Sequence, residues 1–185
     1  MPKLWHDTIE AHRNAVADAI MDKTAALAAA HGLHTLTMAR IAQESGIGRA
    51  TLYKYFKDVE SILVSWHQRQ ILTHLEELEV VRARHARPVA ALEAVLMAYA
   101  GHSGHSHDAS LARLLHSMPH MAEAHRHLQT FIADLIQEAV DKKELPATPS
   151  PEERARFALG AMQAAPRNRT ELGRFVSMVL KGLAA

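Results

Sequence analysis

"GIGRATLYKYF", residues 46–56, places two glycines, two basic residues and three aromatic rings within eleven positions. The chain holds two Trp, three Tyr and four Phe in all, so a third of its aromatic rings sit in this one stretch. Gly46 and Gly48 punctuate the chain, and a short helix is expected from just after Gly48 through Phe56. At about 100° per residue, Leu52 and Phe56 share one face and turn inward, while Ala50, Thr51 and Lys54 point the opposite way. Arg49 and Tyr53 occupy one flank of that helix and Tyr55 the other. Just before it, "TLTMARIAQES" (35–45) offers Thr37 as the N-cap of a helix over Met38 to Ser45. Ile41 and Ala42 face inward there, and Gly46 stops the helix. Two short helices joined by "SGIG" form a helix-turn-helix, a geometry suited to laying the second helix in a DNA major groove.

The outward residues have the chemistry of a groove reader. Arginine donates two hydrogen bonds to guanine, hydroxyls reach phosphates, and a small alanine permits close approach. Residues 37–57 carry Arg40, Arg49, Lys54 and Lys57 against Glu44 alone, a local charge of +3 that the whole-chain value of +1 conceals. A helical hairpin with purely structural aromatics is the competing reading of the periodicity, since Tyr55 and Phe56 suit a core as well.

Composition extends the helical reading to the whole chain. The 185 residues are 48% hydrophobic, much of it alanine, with 5% aromatics. Alanine is the strongest helix former, so an all-α chain of about nine helices is expected, with no strand signal and no internal repeat. The net charge of +1 and pI near 8.2 exclude a global polycation, leaving nucleic-acid contact to a local patch. Zero cysteines exclude disulfides, thiolate zinc sites and thiol catalysis. "MPKLWHDTIEAHRN" lacks the apolar segment of a signal peptide, and no apolar run approaches the ~20 residues of a membrane span. A soluble, cytoplasmic protein is the expectation.

Punctuation marks the remaining elements. A long helix over residues 6–31 ends at Gly32. Asp58 caps a long helix carrying Ile62, Leu63, Trp66, Ile71, Leu75 and Leu78. Pro88 opens the next, "GHSGHSHD" (101–108) is a loop, and "ASLARLLHSM" (109–118) is a short helix that stops before Pro119. From there a helix reaches about Lys142, with Met121, Leu128, Phe131 and Leu135 on one stripe. "ELPATPSP" is the most linker-like stretch. Ser150-Pro151-Glu152-Glu153 is a capping box with proline at the first helical position, and Asn168 with Glu171 repeats the spacing before the last helix.

Residues 37–63, "TMARIAQESGIGRATLYKYFKDVESIL", closely resemble the DNA-binding signature of the TetR family of transcriptional regulators. The family pattern stands here as Thr37, Ile41-Ala42, Gly46-Ile47 and Thr51-Leu52-Tyr53-Lys54-Tyr55-Phe56. Two positions depart from it. Gly48 stands where the family commonly has a small polar residue, and Val59 where it often has a phosphate-gripping lysine, a role left to Lys57. The resemblance implies a three-helix DNA-binding head over residues 1–57 and a C-terminal ligand-binding and dimerisation bundle over 58–185. Thr37, Arg49, Ala50, Thr51, Tyr53, Lys54, Tyr55 and Lys57 are the implied DNA contacts.

The resemblance further implies a homodimer on a palindromic double-stranded operator, released by a small-molecule effector, with the helix from Val59 to about Arg84 as the lever. Trp66, Met97, Tyr99, Met118, Met121 and Phe131 are the candidate pocket residues. The last two helices would form the dimer interface, with Leu159 and Met162 on one stripe and Leu172, Phe175, Val176 and Val179 on the other.

Histidine supplies a second reading. Seven of the fourteen lie between positions 102 and 127: His102, His105, His107, His116, His120, His125 and His127. Imidazole binds divalent zinc, nickel and copper, so His102, His105, His107, His120 and His127 are candidate ligands of a metal-responsive regulator, although the family requires no cofactor. Surface histidines in a polar loop are the plainer reading. A metal-dependent enzyme is the remote alternative. The chain has no HExxH, P-loop, GxGxxG or GxSxG pattern, and nothing in it organises an acid, a base and a water.

Overall fold

Alanine-rich stretches bounded by capping residues make the elements of the described residues helical. The computed structural model describes residues 3–102 and 119–185. Among these, eight α-helices form: α1 (Lys3–His31), α2 (Met38–Glu44), α3 (Arg49–Tyr55), α4 (Val59–Ala83), α5 (Pro88–His102), α6 (Pro119–Asp141), α7 (Pro151–Met162) and α8 (Arg169–Ala184). A 3₁₀ turn, Leu33–Thr35, follows α1, and no strand occurs among the described residues. The all-α expectation of about nine helices is met. The helix expected over 109–118 lies outside the described residues. Of the loop expected at 101–108, residues 101 and 102 end α5 and the rest lies outside. No described helix is long and apolar enough to cross a membrane.

The helix ends are set by local chemistry. Thr37 caps α2 by accepting the Arg40 amide at 3.1 Å. After α2 the Gly46 amide bonds to the Gln43 carbonyl and the Ile47 amide to Ala42, the paired bonds of a Schellman motif. That motif needs a left-handed residue, and Gly46 supplies it with φ 68°. Lys143 occupies the same position after α6 at φ 57°, without glycine's freedom. Asp58 caps α4 by accepting the Ser61 amide at 2.7 Å, while Ser61 Oγ returns a bond from the Asp58 amide at 3.2 Å. The capping box expected at Ser150 and Glu153 forms in full, and Asn168 caps α8 by accepting from Thr170 and Glu171.

The described chain divides into two compact units, residues 3–70 and residues 71–102 with 119–185. Ile20, Met21, Leu27 and Ala28 of α1, Ile41 and Ala42 of α2, Leu52 of α3, and Phe56, Ile62 and Leu63 pack together in the first. That unit runs past residue 57 because the opening turns of α4 bring Ile62, Leu63 and half-buried Trp66 into its core. The second core joins Leu78, α5 (Leu92, Val95, Leu96), α6 (Ile132, Leu135, Ile136, Ala139), α7 (Ala155, Ala158, Leu159, Met162) and α8 (Leu172, Val176, Val179, Leu183).

Among the described residues of the second unit one charged side chain, Arg154, is buried. The Arg154 guanidinium donates to the Pro146 carbonyl and, at 2.8 Å, to Thr148, and so holds the α6–α7 connection against α7. Its Nε has no partner. Elsewhere in the unit Arg82 pairs with Glu138 and lies over the Phe131 ring, 5.5 Å from its centroid.

Two outcomes follow from these contacts. Arg154→Ala strips the Pro146 and Thr148 carbonyls of their buried donor and should cost roughly 2–4 kcal/mol, read by denaturant unfolding. The Asp58 carboxyl is held below the ordinary carboxylate range, chiefly by the Ser61 amide. A lowered folded pKa gives stabilisation that is complete above the unfolded value and lost as pH falls through the folded one. The stability gap between wild type and Asp58→Asn should therefore be present at neutral pH and shrink below about pH 4. An unchanged gap would mean that the carboxylate charge is not what holds the cap.

Candidate nucleic-acid interface

The roll of α3 is fixed from inside. Leu52 is 0% exposed and Phe56, just past the helix, 8%. Their packing leaves Arg49, Ala50, Thr51, Tyr53 and Lys54 exposed on the other side, as the periodicity requires. Tyr53 is the most open aromatic of the stretch at 56% exposed. Tyr55 differs from that group: it is half-buried and packs on the first core with Ile47 and Val59, so much of its ring is structural. Gly48 sits at the N-cap of α3 with extended φ and ψ and offers no side-chain cap. A Cβ there would meet only Thr51 Oγ1, at an ordinary 3.8 Å.

Two carboxylates stand near this segment, and each lies within ion-pair distance of a lysine. Glu44, the one acidic residue among 37–57, lies 3.9 Å from Lys23 of α1. Lys57 is exposed and lies 3.9 Å from Asp58 Oδ2, while Oδ1 of the same carboxylate caps α4. Among the described residues neither Arg49 nor Lys54 is ion-paired, which leaves the outer face of α3 net positive. Thr37 is exposed at the start of α2; its hydroxyl oxygen accepts the Arg40 amide, which leaves the hydroxyl proton available to a phosphate.

The other expected residues scatter. Trp66 packs on the first core, whereas Met97, Tyr99 and Phe131 are half-buried against the second, and Met121 is half-buried on α6. Trp66 is therefore not a member of the second unit's apolar cluster. Met118, His105 and His107 lie outside the described residues. His102 ends α5 and His120 lies in the first turn of α6, while His127 is exposed farther along α6. Among the described residues no three His, Cys, Asp or Glu side chains come together as a metal site.

The residues expected at a dimer interface lie largely inside the chain's own core. Leu159, Met162, Leu172, Val176 and Val179 are buried in the chain's own core, and Phe175 is half-buried against it. Val176 is 0% exposed. Apart from half-buried Phe175, these residues of α7 and α8 are covered within the chain by α5, α6 and each other. The outer face carries different residues: Phe157 is 51% exposed and Met178 62%. The Phe157 ring lies across Gly182, where an added Cβ would come within 3.1 Å of it. Met178 is one turn from Gly182 and borders a depression of about 400 Å³ with Gly173, Arg174, Ser177 and Lys181. An apolar residue off the main stripe was the available sequence signal for both.

Residues 20–65 match the model of the bacterial regulatory proteins of the tetR family. No curated protein matches the chain. Solved structures do. A protein of unknown function from Rhodococcus sp. RHA1 superposes with a TM-score of 0.76 at 16% identity, over 92% of this chain and 96% of that one. A transcriptional regulator of the TetR/AcrR family from Thermobifida fusca gives 0.69 at 18% identity, over 92% and 97%. The transcriptional regulator FadR from Bacillus subtilis, in complex with stearoyl-CoA, gives 0.65 at 17% identity, over 90% and 97%. Identities this low speak for the fold. The chain thus carries the TetR-family N-terminal segment in residues 20–65 and shares the all-helical fold of TetR-family regulators.

Proposed function

We propose that the chain is a DNA-binding transcriptional regulator, a repressor whose operator binding is released by a small-molecule effector, acting as a homodimer in the cytoplasm. The observation that carries the reading is the division of α3 into a buried Leu52 and an exposed, cationic outer face, within a segment that matches the tetR-family model. In this reading α3 enters the major groove, Arg49 reads a base edge, and Lys54 and Lys57 meet phosphates. Half-buried Tyr55 serves chiefly to seat the helix. An effector releases the operator only by binding one state of the protein more tightly than the other. FadR of Bacillus subtilis, a transcriptional regulator solved in complex with stearoyl-CoA, gives a precedent for a small molecule held on this fold.

Dimerisation is assigned to the outer faces of α7 and α8. Phe157 and Met178 are large apolar side chains more than half exposed, and a second copy is the partner that a palindromic operator calls for.

Two experiments test this reading. Arg49→Ala should cost roughly 1–3 kcal/mol on the preferred duplex and relax its sequence preference, whereas Lys54→Ala should weaken all duplexes evenly and lower the salt slope. Unchanged affinity in both, with the fold intact, rejects α3 as the reader. Met178→Asp should leave each chain folded and shift sedimentation from dimer to monomer. Val176→Asp should instead unfold the second unit, because its side chain faces the core. A wild-type chain that sediments as a monomer rejects the dimer.

A further inference from the structure

The apolar anchoring of α4 in the first core ends early. Ile62 and Leu63 are buried, Trp66 is half-buried, and no later apolar residue of α4 packs there. Arg69 lies one turn beyond, and it reaches back to α1. Its Nη1 donates to Asp18 Oδ1 at 2.6 Å and its Nη2 donates to Asp22 Oδ1. Asp18 and Asp22 are spaced i, i+4 and share a face of α1, so one planar guanidinium meets both. Partial burial works against the charge of Arg69, but the two carboxylates outweigh it and hold the guanidinium above its usual range. Between these aspartates on α1 stand Ile20 and Met21, members of the same core cluster as Leu52 of α3.

Exposed ion pairs add little to folding, and Arg69 keeps 28% of its side chain in solvent. What a fork to two carboxylates adds is geometry. Two bonds from a rigid planar group permit one approach of the helices, where a single flexible pair permits many. We infer that Arg69 is a positioning residue for DNA recognition: held by Asp18 and Asp22, it sets the angle between α1 and α4 and with it the presentation of α3. The inference rests on the reading of α3 as the DNA-contacting helix. A direct contact between Arg69 and phosphate is the rival account, and the two differ in sign when the aspartates are removed.

The test uses the full-length chain, a duplex selected by wild type from a random pool, and a scrambled duplex of equal length. Arg69→Met, and Asp18→Asn combined with Asp22→Asn, should each lose roughly tenfold on the selected duplex, about the cost of one mismatched base pair, with little change on the scrambled one. Removing the aspartates makes the chain more positive, so simple attraction predicts tighter binding to both duplexes. Tighter binding, unchanged binding, or an equal loss on both duplexes overturns the proposal. Circular dichroism on the same samples separates an equal loss through unfolding. A second measurement needs no DNA: amide hydrogen exchange at residues 18–22 and 64–69 should quicken in Arg69→Met. Unchanged exchange there overturns the clamp by itself. If wild type selects no duplex, the reading of α3 fails, while exchange still reports whether Arg69 holds the two helices.

Discussion

The burial of Leu52 is the contact on which the candidate interface depends. A helix of seven residues does not hold itself together in water, because nucleation costs more than so few hydrogen bonds return. α3 exists because Leu52 fills the first core against α1, α2 and α4, a contribution of about 1.5–3 kcal/mol for a fully buried leucine. The same contact fixes the roll of the helix, since at 100° per residue one inward side chain decides which others face out. The Schellman turn at Gly46 and Ile47 sets where the helix begins, and Phe56 anchors the chain as it leaves. Arg49, Ala50, Thr51 and Lys54 are outward because Leu52 is inward.

A similar division governs α7 and α8, with a different outcome. Their regular apolar stripes are consumed by the second core, together with α5 and α6. What remains for a partner is the irregular remainder, Phe157 lying over Gly182 and Met178 beside a shallow depression. That face sets two exposed apolar side chains, Phe157 and Met178, beside the charged Arg174 and Lys181. Such a composition suits an association that needs matching of shape and charge more than bulk hydrophobic drive.

The elements that were legible in the sequence are those written in local chemistry. Thr37, Gly46, Asp58, Ser150 and Asn168 act within four residues of themselves, so a cap or a stop can be recognised without knowing the fold. The inward turn of Leu52 and Phe56 was legible for the same reason. The losses were all long-range. An apolar stripe shows that a face is buried but not against what, and so the stripes of α7 and α8 suggested a second chain when the first one covers them. Trp66, expected with pocket residues of the second unit, packs on the first core; which of two cores receives a given turn depends on distant packing. The boundary expected at 57 falls before the turns of α4 that the first core includes. Arg69 meets Asp18 and Asp22 across 51 and 47 residues of chain, a pairing that no local pattern announces.

The bare N-cap at Gly48 and the open face of α3 bear on how this molecule can change. The side chains that would touch DNA make few contacts on which the fold depends, and the one that seats the helix points away from them. Arg49, Ala50, Thr51 and Lys54 can therefore be exchanged with little effect on folding, so a lineage can retune what it recognises while its scaffold stays constant. Leu52 has no such latitude. Descent with new preferences should accumulate on one side of a single short helix, and stasis on the other.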